Sequence, residues 1–362
     1  MEKRYHTTQE TTLRHFTEQI FLAIGCSEEH AVLAADVLIK ADMRGIDSHG
    51  VARLSGYVRL WQKGRLNAKP LMRIVHETPT TATVDGDQGL GLVVAPYAMK
   101  IAIEKAETYG SGWVAVRNSN HFGIAGYHAL MAVEKDMIGY AMTNASPLVT
   151  PTFSKERMLC TNPICYAFPA GEHPPVVIDM ATSAAANGKL EIAQRQGLSV
   201  PEGWVQTSSG VSSTNPDELK QGGSLLPLGS DRRHGSHKGY GLSATVDILS
   251  AVLSGANYGP WVPPFVSYLH PAPNLAGLGI GHFLGAMRAD GFRPIADFKQ
   301  HMDNWITRFK NAEPINKIQP VIVPGEPELV AERKRSISGI PIIEDVWDDL
   351  KMLAEHLKVD HL

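Results

Sequence analysis

The spacing of apolar residues changes near residue 72, and this change restricts the chain to a fold that combines helices with a sheet. Apolar side chains recur at helical spacing over 8–66. The runs at 81–84 and 113–116 are typical of strands, whereas the pattern over 91–109 predicts a helix. We therefore expect an α/β (α+β) protein in which a helical region precedes a sheet.

Glycine, proline and helix-capping residues indicate where helices end and where loops lie. Gly25 is expected to end the first helix, and Ser27 to cap the second. The segment 203–237 is rich in Gly, Ser and Pro, which predicts a long functional loop, and 257–278 is expected to be irregular. Further strands are predicted at 138–142 and 176–179, and further helices at 239–254, 297–311 and 344–357.

Charge and cysteine content exclude several classes of protein. The 34 Lys and Arg residues nearly balance the 37 Asp and Glu residues, so nothing favours nucleic acid, and the expected partner is a small molecule or a second copy. Three cysteines without a C-x-x-C motif argue against a disulfide framework or a cysteine zinc site. The uncharged run 137–152 contains Asn, Ser and Pro and is too short to span a bilayer. A cytoplasmic protein without a membrane partner is expected.

A histidine and an arginine lie four residues apart in the segment 47–53. If a helix begins near Gly50, His49 and Arg53 share one face. A histidine can pass a proton to an oxyanion, and an arginine fork matches a carboxylate. The pair therefore suits a 2-oxo or 2-hydroxy acid, the alternative being a helix cap beside a surface arginine.

Polar residues follow two predicted strands. The segment 118–123 contains His121, a second acid–base group or substrate hydrogen bonder, or else a structural histidine in a turn. Asp179 ends the strand 176–179 and either orients an imidazole or caps the next helix. The small residues of 181–188 allow a flat ligand close to the backbone and precede Lys189.

A candidate phosphate site lies at 235–241, where glycines and Lys238 precede a predicted helix. The dinucleotide pattern G-x-G-x-x-A occurs at 239–244 but follows a loop, and its second occurrence, at 110–115, precedes a strand, so the Rossmann context is missing. The basic cluster 232–234 either meets an adenosine 2′-phosphate or lies in a solvated loop. His234 and His237 could bind a metal ion, but no carboxylate or cysteine completes a site with them, and no metal is expected.

Taken in order, these segments resemble the type-2 malate/L-lactate dehydrogenase family. Each motif is modest alone, but their ordered combination is specific and spans about residues 45–330. The segments that carry the resemblance are Asp47-Ser48-His49-Gly50 with Arg53, Asn118-Ser119-Asn120-His121-Phe122-Gly123, Thr161-Asn162-Pro163, Asp179-Met180-Ala181-Thr182-Ser183, Pro201-Glu202-Gly203-Trp204, His237-Lys238-Gly239-Tyr240-Gly241-Leu242, Gly281-His282-Phe283 and Val323-Pro324-Gly325-Glu326.

The resemblance implies a homodimer that uses NAD or NADP to interconvert 2-oxo and 2-hydroxy acids, with malate the first guess and a lactate-type substrate also expected. It implies a helical domain with an inserted cofactor domain that is not Rossmann and has a mixed, largely antiparallel sheet. The expected division is 1–117 (helices and a small sheet), 118–296 (NAD(P) binding) and 297–362 (a helical segment packing back on the first domain). The alternatives are a cyclic imino-acid reductase of the same family and a non-catalytic ligand-binding protein.

The resemblance also implies roles for individual residues. His49 would exchange the proton with assistance from His121, and Asp179 would complete the catalytic set. Substrate contacts are expected from Ser48, Arg53, Asn120 and Thr161. Cofactor contacts are expected from Ser146, Asp179, Met180, Ala181, Lys189, His237, Lys238, Gly239, Pro324, Gly325 and Glu326.

Overall fold

The computed structural model describes residues 4–316 and 318–362. Its helices are α1 (Glu10–Ala23), α2 (Glu28–Met43), α3 (Leu54–Gln62), α4 (Gly91–Tyr109), α5 (Ala125–Val133), α6 (Asn187–Gln196), α7 (Ser236–Asp247), α8 (Ile295–Lys310), α9 (Glu326–Ser338) and α10 (Glu344–Leu357). Its strands are β1 (Tyr5–Thr8), β2 (Arg73–Glu77), β3 (Thr81–Asp85), β4 (Ser111–Ser119), β5 (Met137–Thr143), β6 (Ile164–Phe168), β7 (Val176–Met180), β8 (Val205–Gln206), β9 (Ser212–Ser213), β10 (Ser224–Leu225), β11 (Ile280–Arg288) and β12 (Ile340–Ile343).

The helical region forms around one apolar core. Gly25 ends α1 in the left-handed conformation, with φ of 95°, as its position predicts. The Ser27 hydroxyl accepts the His30 N–H at 3.2 Å and caps α2, also as predicted. Buried residues of α1, α2 and α3 pack together with Leu350 and Leu353 of α10. The beginning and the end of the chain therefore share a core.

The second core lies against a seven-stranded sheet. The strand order is β2-β3-β4-β11-β5-β6-β7, and every neighbouring pair is antiparallel except β3 and β4. Buried alanines of α4 and α5 allow these helices to approach the sheet closely. One parallel pair in seven strands is not the doubly wound Rossmann arrangement. The mixed, largely antiparallel sheet is thus confirmed.

Four strands of the large sheet were predicted from their apolar runs, whereas β2, β6 and β11 were missed. The runs predicted at 81–84, 113–116, 138–142 and 176–179 lie within β3, β4, β5 and β7, and α4 has the predicted bounds. Strand β11 was missed because glycines interrupt its pattern. Gly281 is required there, since a Cβ would lie 2.1 Å from the Ser250 carbonyl oxygen.

The segment 203–237 is more ordered than predicted. It contains a small sheet of order β10-β8-β9, together with a 3₁₀ turn at Glu218–Gln221. Each of these strands has two residues, too few to show an alternating pattern. The helix predicted at 239–254 begins earlier, as α7, and continues as a π-helical turn at Ile248–Val252.

The proposed domain boundaries remain a prediction. The boundary at 117/118 falls within β4, and the large sheet contains strands from both sides of it. The three cysteines, Cys26, Cys160 and Cys165, are buried and unpaired. No helix in the described residues is both long enough and apolar enough to cross a membrane.

Candidate active site

The segment 47–53 does not form the helical face that its spacing suggested. Residues 47–50 form a turn, a 3₁₀ turn follows at Val51–Arg53, and α3 begins only at Leu54. His49 therefore lies outside the helix, and the i, i+4 prediction is wrong. The segment nevertheless folds so that Arg53 lies close to Ser48 and His49, because the Arg53 Nε donates to the Ser48 carbonyl.

A buried carboxylate determines the shape of this turn. Asp42, at the end of α2, is 3% exposed, and its carboxylate accepts the Val51 N–H at 2.8 Å. Gly50 lies directly against it: a Cβ there would be 2.0 Å from the Asp42 Oδ1. Only glycine permits this approach. Burial raises the pKa of Asp42 well above its usual range, and the Val51 N–H partly opposes that shift.

The two candidate acid–base histidines lie side by side. The rings of His49 and His121 stack with their centres 5.7 Å apart. The Ser48 hydroxyl is 2.9 Å from the His49 Nδ1, and the Phe265 ring lies 4.7 Å from His121. Residues from the 47–50 turn, from the segment after β4 and from the irregular segment 257–278 thus meet at one place.

The contacts of His121 determine which ring nitrogen carries its proton. The Gly123 N–H donates to the His121 Nδ1 at 3.3 Å, and the Tyr57 hydroxyl lies 2.7 Å from the same nitrogen. Because a backbone N–H can only donate, Nδ1 is the acceptor and the neutral ring carries its proton on Nε2. His121 therefore presents an N–H donor on the side away from Tyr57.

Both histidines are neutral at pH 7 in this structure. Burial, with a smaller contribution from the Arg53 charge, lowers the pKa of His49 to about 3. Burial and the neighbouring His49, Arg53 and His282 also lower the pKa of His121 well below its usual value. An anion bound between Arg53 and the rings would raise both pKa values, because it favours the charged imidazolium.

Arg53 lies between two clefts. The larger, of about 780 Å³, is lined by Arg53, Glu191, Phe265 and Tyr268 among others. The smaller, of about 200 Å³, is lined by Ser48, Arg53 and Glu191 among others. The Arg53 Nη2 lies 3.6 Å from the Glu191 carboxylate, and α6 approaches closely because a Cβ on Gly188 would be 2.7 Å from the Ser48 Cβ. Arg53 can thus meet an anion from either cleft.

Asn120 and Thr161, which were also predicted to bind substrate, make hydrogen bonds to the protein backbone. The buried Asn120 amide donates to the carbonyls of Gln88 and Gly89, at 2.8 and 3.1 Å, and so holds the segment before His121. The Thr161 carbonyl accepts the Thr182 N–H at 2.9 Å. The role of Asn120 and Thr161 toward substrate remains a prediction.

Asp179 lies in a different environment from the one expected. Strand β7 continues through Met180, so Asp179 does not end it, and its carboxylate accepts the Gly126 N–H in the first turn of α5 at 2.7 Å. It therefore caps a helix, but not the one that follows it in sequence. Desolvation raises the pKa of this carboxyl to about 6, although the Gly126 hydrogen bond and Arg44 oppose the shift.

The turn 324–326 lies beside the same strand. The Pro324 carbonyl accepts the Val177 N–H at 3.2 Å, and Gly325, with φ of 91°, precedes α9. The Glu326 carboxylate accepts the Val323 N–H and pairs with Lys310. Several predicted cofactor residues are thus neighbours at the edge of the large sheet: Asp179, Met180, Ala181, Pro324, Gly325 and Glu326.

The remaining cofactor candidates lie on three further elements. The Ser146 hydroxyl is buried and accepts the Phe265 N–H at 2.9 Å, which fixes Phe265 beside His121. The Lys189 ammonium, on α6, lies 5.6 Å from the centre of the Trp204 ring. The cofactor role of Ser146 and Lys189 remains a prediction.

The start of α7 has the features predicted for a phosphate site. His237 and Lys238 are exposed in its first turn, and Lys238 has no hydrogen-bond or ion-pair partner for its side chain among the described residues. Gly239 lies against another segment, because a Cβ there would be 2.2 Å from the Leu228 carbonyl oxygen. The Arg232 Nη1 lies 2.7 Å from the His237 Nδ1, and desolvation, together with the charges of Arg232 and Lys238, lowers the pKa of His237.

Sequence reasoning missed three residues of the site: Tyr57, Glu191 and Phe265. The sequence pattern indicates that Tyr57 is a core residue of α3, and its ring is fully buried. Phe265 lies in a segment without periodicity, and Glu191 lies on a helix that was not predicted. Nothing local in the sequence distinguishes these residues, since each reaches the site through packing between distant segments.

Comparison with known proteins agrees with the motif evidence. The family model described as malate/L-lactate dehydrogenase matches residues 8–351. The malate dehydrogenase of Pyrococcus abyssi is 43% identical, with 100% of this chain and 98% of that protein covered. The L-sulfolactate dehydrogenase of Methanocaldococcus jannaschii is 37% identical, with 92% of each covered.

A solved structure gives the same result for the fold. The malate dehydrogenase of Pyrococcus horikoshii OT3 superposes with a TM-score of 0.90 at 38% identity, covering 100% of this chain and 99% of that one. The resemblance drawn from the ordered motifs is therefore confirmed, as is the expected class, a nicotinamide-dependent dehydrogenase of 2-hydroxy acids. The chain belongs to the malate/L-lactate dehydrogenase family.

Proposed function

We propose that this chain reduces a small 2-oxo acid, or oxidises the matching 2-hydroxy acid, with NAD or NADP. The observation that carries the proposal is the stacked pair of His49 and His121 beside the Arg53 guanidinium. Acid–base groups next to a carboxylate-binding fork are what the interconversion of a 2-oxo and a 2-hydroxy acid requires. Oxaloacetate and malate are the first candidates, because malate dehydrogenases are among the similar proteins.

In the proposed reaction, Arg53 binds the substrate carboxylate in place of its present contact with Glu191. The substrate charge then raises the pKa of His49 and His121, so that protonation accompanies substrate binding. The nicotinamide, when bound, supplies or accepts the hydride at the substrate C2. His49 delivers the proton to the C2 oxygen, and the Nε2–H of His121 donates a hydrogen bond to the same oxygen. Ser48, Asn120, Thr161 and Asp179 are proposed to support this arrangement.

Tyr57 is suited to hold His121 through both directions of the reaction. Its hydroxyl can donate to Nδ1 of the neutral ring or accept from the N–H of the imidazolium. The ring therefore keeps one orientation while its charge changes, which keeps the reacting atoms aligned.

The residues at the start of α7 fit a dinucleotide phosphate. Helix N–H groups and the exposed Lys238 are the donors that phosphate prefers, and a Cβ on Gly241 would have no atom within 4 Å, which leaves space for a ligand. We propose that His237, Lys238 and Gly239 hold the phosphates. The second set of proposed contacts is Ser146, Asp179, Met180, Ala181, Lys189, Pro324, Gly325 and Glu326.

The experiment is a panel monitored by absorbance at 340 nm with both NADH and NADPH. The substrates are oxaloacetate, pyruvate, sulfopyruvate and a cyclic 2-imino acid. Oxidation of either cofactor with a 2-oxo acid supports the proposal, whereas turnover of the cyclic imino acid alone indicates the imino-acid reductase. Binding of cofactor without turnover of any substrate would favour a non-catalytic ligand-binding protein.

We also propose a cytoplasmic homodimer in which the exposed apolar face formed by α7 and the residues 248–253 that continue it contacts a second copy. Leu242, Ile248, Val252 and Leu253 are 41–59% exposed on this face. The only charged residue from Gly239 to Trp261 is Asp247, which is buried. A long apolar face without charge is typical of a homodimer interface.

Light scattering coupled to size exclusion tests the dimer. Ile248→Glu should produce a monomer, because a charge would be buried without a partner in the interface. Val211→Glu, at another exposed apolar residue, is the matched control and should leave the mass unchanged. A monomeric wild type would contradict the proposal.

A further inference from the structure

Helix α9 connects two parts of the proposed site. Its first residue belongs to the turn 324–326, beside Val177 and the edge of the large sheet. Further along, it lies against the end of α2 and the turn 47–50. None of its residues is buried. Its position therefore depends largely on polar contacts rather than on an apolar core.

The first group of contacts fixes α9 to the end of α2. The Glu332 carboxylate pairs with Lys40 and, at 3.4 Å, with Arg44. The backbones approach closely at Gly45, where a Cβ would be 3.1 Å from the Ala331 Cβ. These contacts place the next turn of α9 over the residues that follow α2.

The second group comes from a single side chain, that of Arg335. Its guanidinium pairs with both carboxylate oxygens of Asp47, one of them at 3.2 Å, and also donates to the Asp42 backbone carbonyl. Asp42 accepts the Val51 N–H through its own carboxylate. Arg335 therefore contacts Asp47, which begins the turn that carries His49, and Asp42, which anchors the end of that turn.

The geometry of these contacts distinguishes them from an ordinary surface ion pair. The Arg335 side chain is 14% exposed, and its fork engages a backbone carbonyl in addition to a carboxylate. An isolated exposed pair contributes little, because water screens it. A planar fork with several partners instead restricts the orientation of the group it binds.

We propose that Arg335 is a positioning residue: it holds Asp42 and Asp47 so that the intervening turn presents His49 and Arg53 to the substrate, and α9 links that turn to residues 324–326. The inference rests on the proposed function, because it takes His49 and Arg53 as groups that contact substrate. Arg335 itself contacts neither substrate nor cofactor in this proposal.

The test compares Arg335→Ala with Arg333→Ala, which removes an exposed arginine from the same helix. Misplacement of a reacting group by about 1 Å costs about 10–100-fold in rate, and kcat of Arg335→Ala should fall by that amount. The dissociation constant of the preferred cofactor should stay at the wild-type value. Arg335→Lys, which keeps the charge but loses the fork, should give an intermediate kcat.

A second readout does not depend on activity. Hydrogen exchange of the peptide covering 47–53 should be faster in Arg335→Ala than in the wild type or in Arg333→Ala, since the turn loses an anchor. Circular dichroism confirms that each variant is folded. If Arg335→Ala does not fold, Asp47→Asn replaces it, with the same direction expected for kcat and exchange.

The outcomes separate this inference from the proposed function. Wild-type rates of catalysis and exchange in Arg335→Ala would overturn the role of Arg335 while leaving the dehydrogenase proposal intact. A wild type that turns over no member of the substrate panel would refute the proposed function. The exchange of 47–53 would still decide whether Arg335 holds the turn.

Discussion

His121 and Lys238, the central residues of the two halves of the proposed site, differ in how the fold holds them. The His121 ring is held among Tyr57, Phe265 and the Gly123 N–H, and its neutral tautomer is defined by those contacts. Lys238 is exposed at the start of α7, without a side-chain partner among the described residues. Packing therefore holds the acid–base residues in place before a ligand binds. The Lys238 side chain of the phosphate half, by contrast, becomes ordered only when a ligand binds it.

The largest effect is expected at the preorganised half. His49→Ala and His121→Ala should each lower kcat by about 10²–10⁴-fold, the usual loss when an acid–base group is removed. The dissociation constant of the cofactor, measured by tryptophan fluorescence, should be unchanged. The variant with the greater loss identifies the proton donor. A kcat within a few-fold of wild type for both variants would contradict the assignment of this half.

Arg53 tests whether geometry or charge matters beside the histidines. Arg53→Lys keeps the charge but cannot make a bidentate contact with a carboxylate. The loss in kcat/KM should be about 1.5–3 kcal/mol, the scale of a hydrogen bond to a charged group. Steady-state kinetics with the preferred substrate measures it. Equal values of kcat/KM for the two proteins would remove Arg53 from the substrate site.

Burial of neutral histidines should make the protein sensitive to acid. His282 is fully buried between Thr143 and Ser119, and burial lowers its pKa to about 3. Below pH 6.5 the unfolded chain binds a proton that the folded chain does not, so the free energy of unfolding falls as pH falls from about 6.5 toward 3. At pH 5 one such histidine accounts for about 2 kcal/mol.

Urea unfolding at pH 7 and pH 5 measures this sensitivity. His282→Asn should lose less stability than the wild type between the two pH values, although it starts from a lower value at pH 7 because its hydrogen bonds change. His301→Asn, at an exposed histidine of α8, is the matched control. A pH dependence in His282→Asn identical to that of wild type would show that His282 does not contribute.

The smallest effect is expected at the exposed half. Lys238→Ala should raise the dissociation constant of the cofactor several-fold, on the scale of about 1 kcal/mol for an exposed charge contact, and leave kcat at saturating cofactor unchanged. The difference should shrink as salt is added, because exposed charges are screened. Lys63→Ala, at an exposed lysine after α3, is the control. Unchanged constants for NADH and NADPH would shift the phosphate site toward Arg232 and Arg233.

The sequence by itself determined the elements whose signals are local. The bounds of α4 follow from one continuous apolar pattern, and the Ser27 cap depends on a hydrogen bond within three residues. The order of the motifs likewise identified the family, because order along the chain needs no three-dimensional information.

Only the tertiary structure decided how the site is assembled. Spacing suggested that His49 and Arg53 share a helix face, but the buried Asp42 carboxylate forms a turn there instead, through a contact that Gly50 alone permits. The Tyr57 hydroxyl that holds the His121 ring comes from 64 positions away, and the anchor of the turn comes from Arg335, 288 positions beyond Asp47. These contacts produce no periodic pattern in the sequence, because they form between segments that are distant along the chain. Their strength depends on burial, which arises only when those segments pack together in the folded protein.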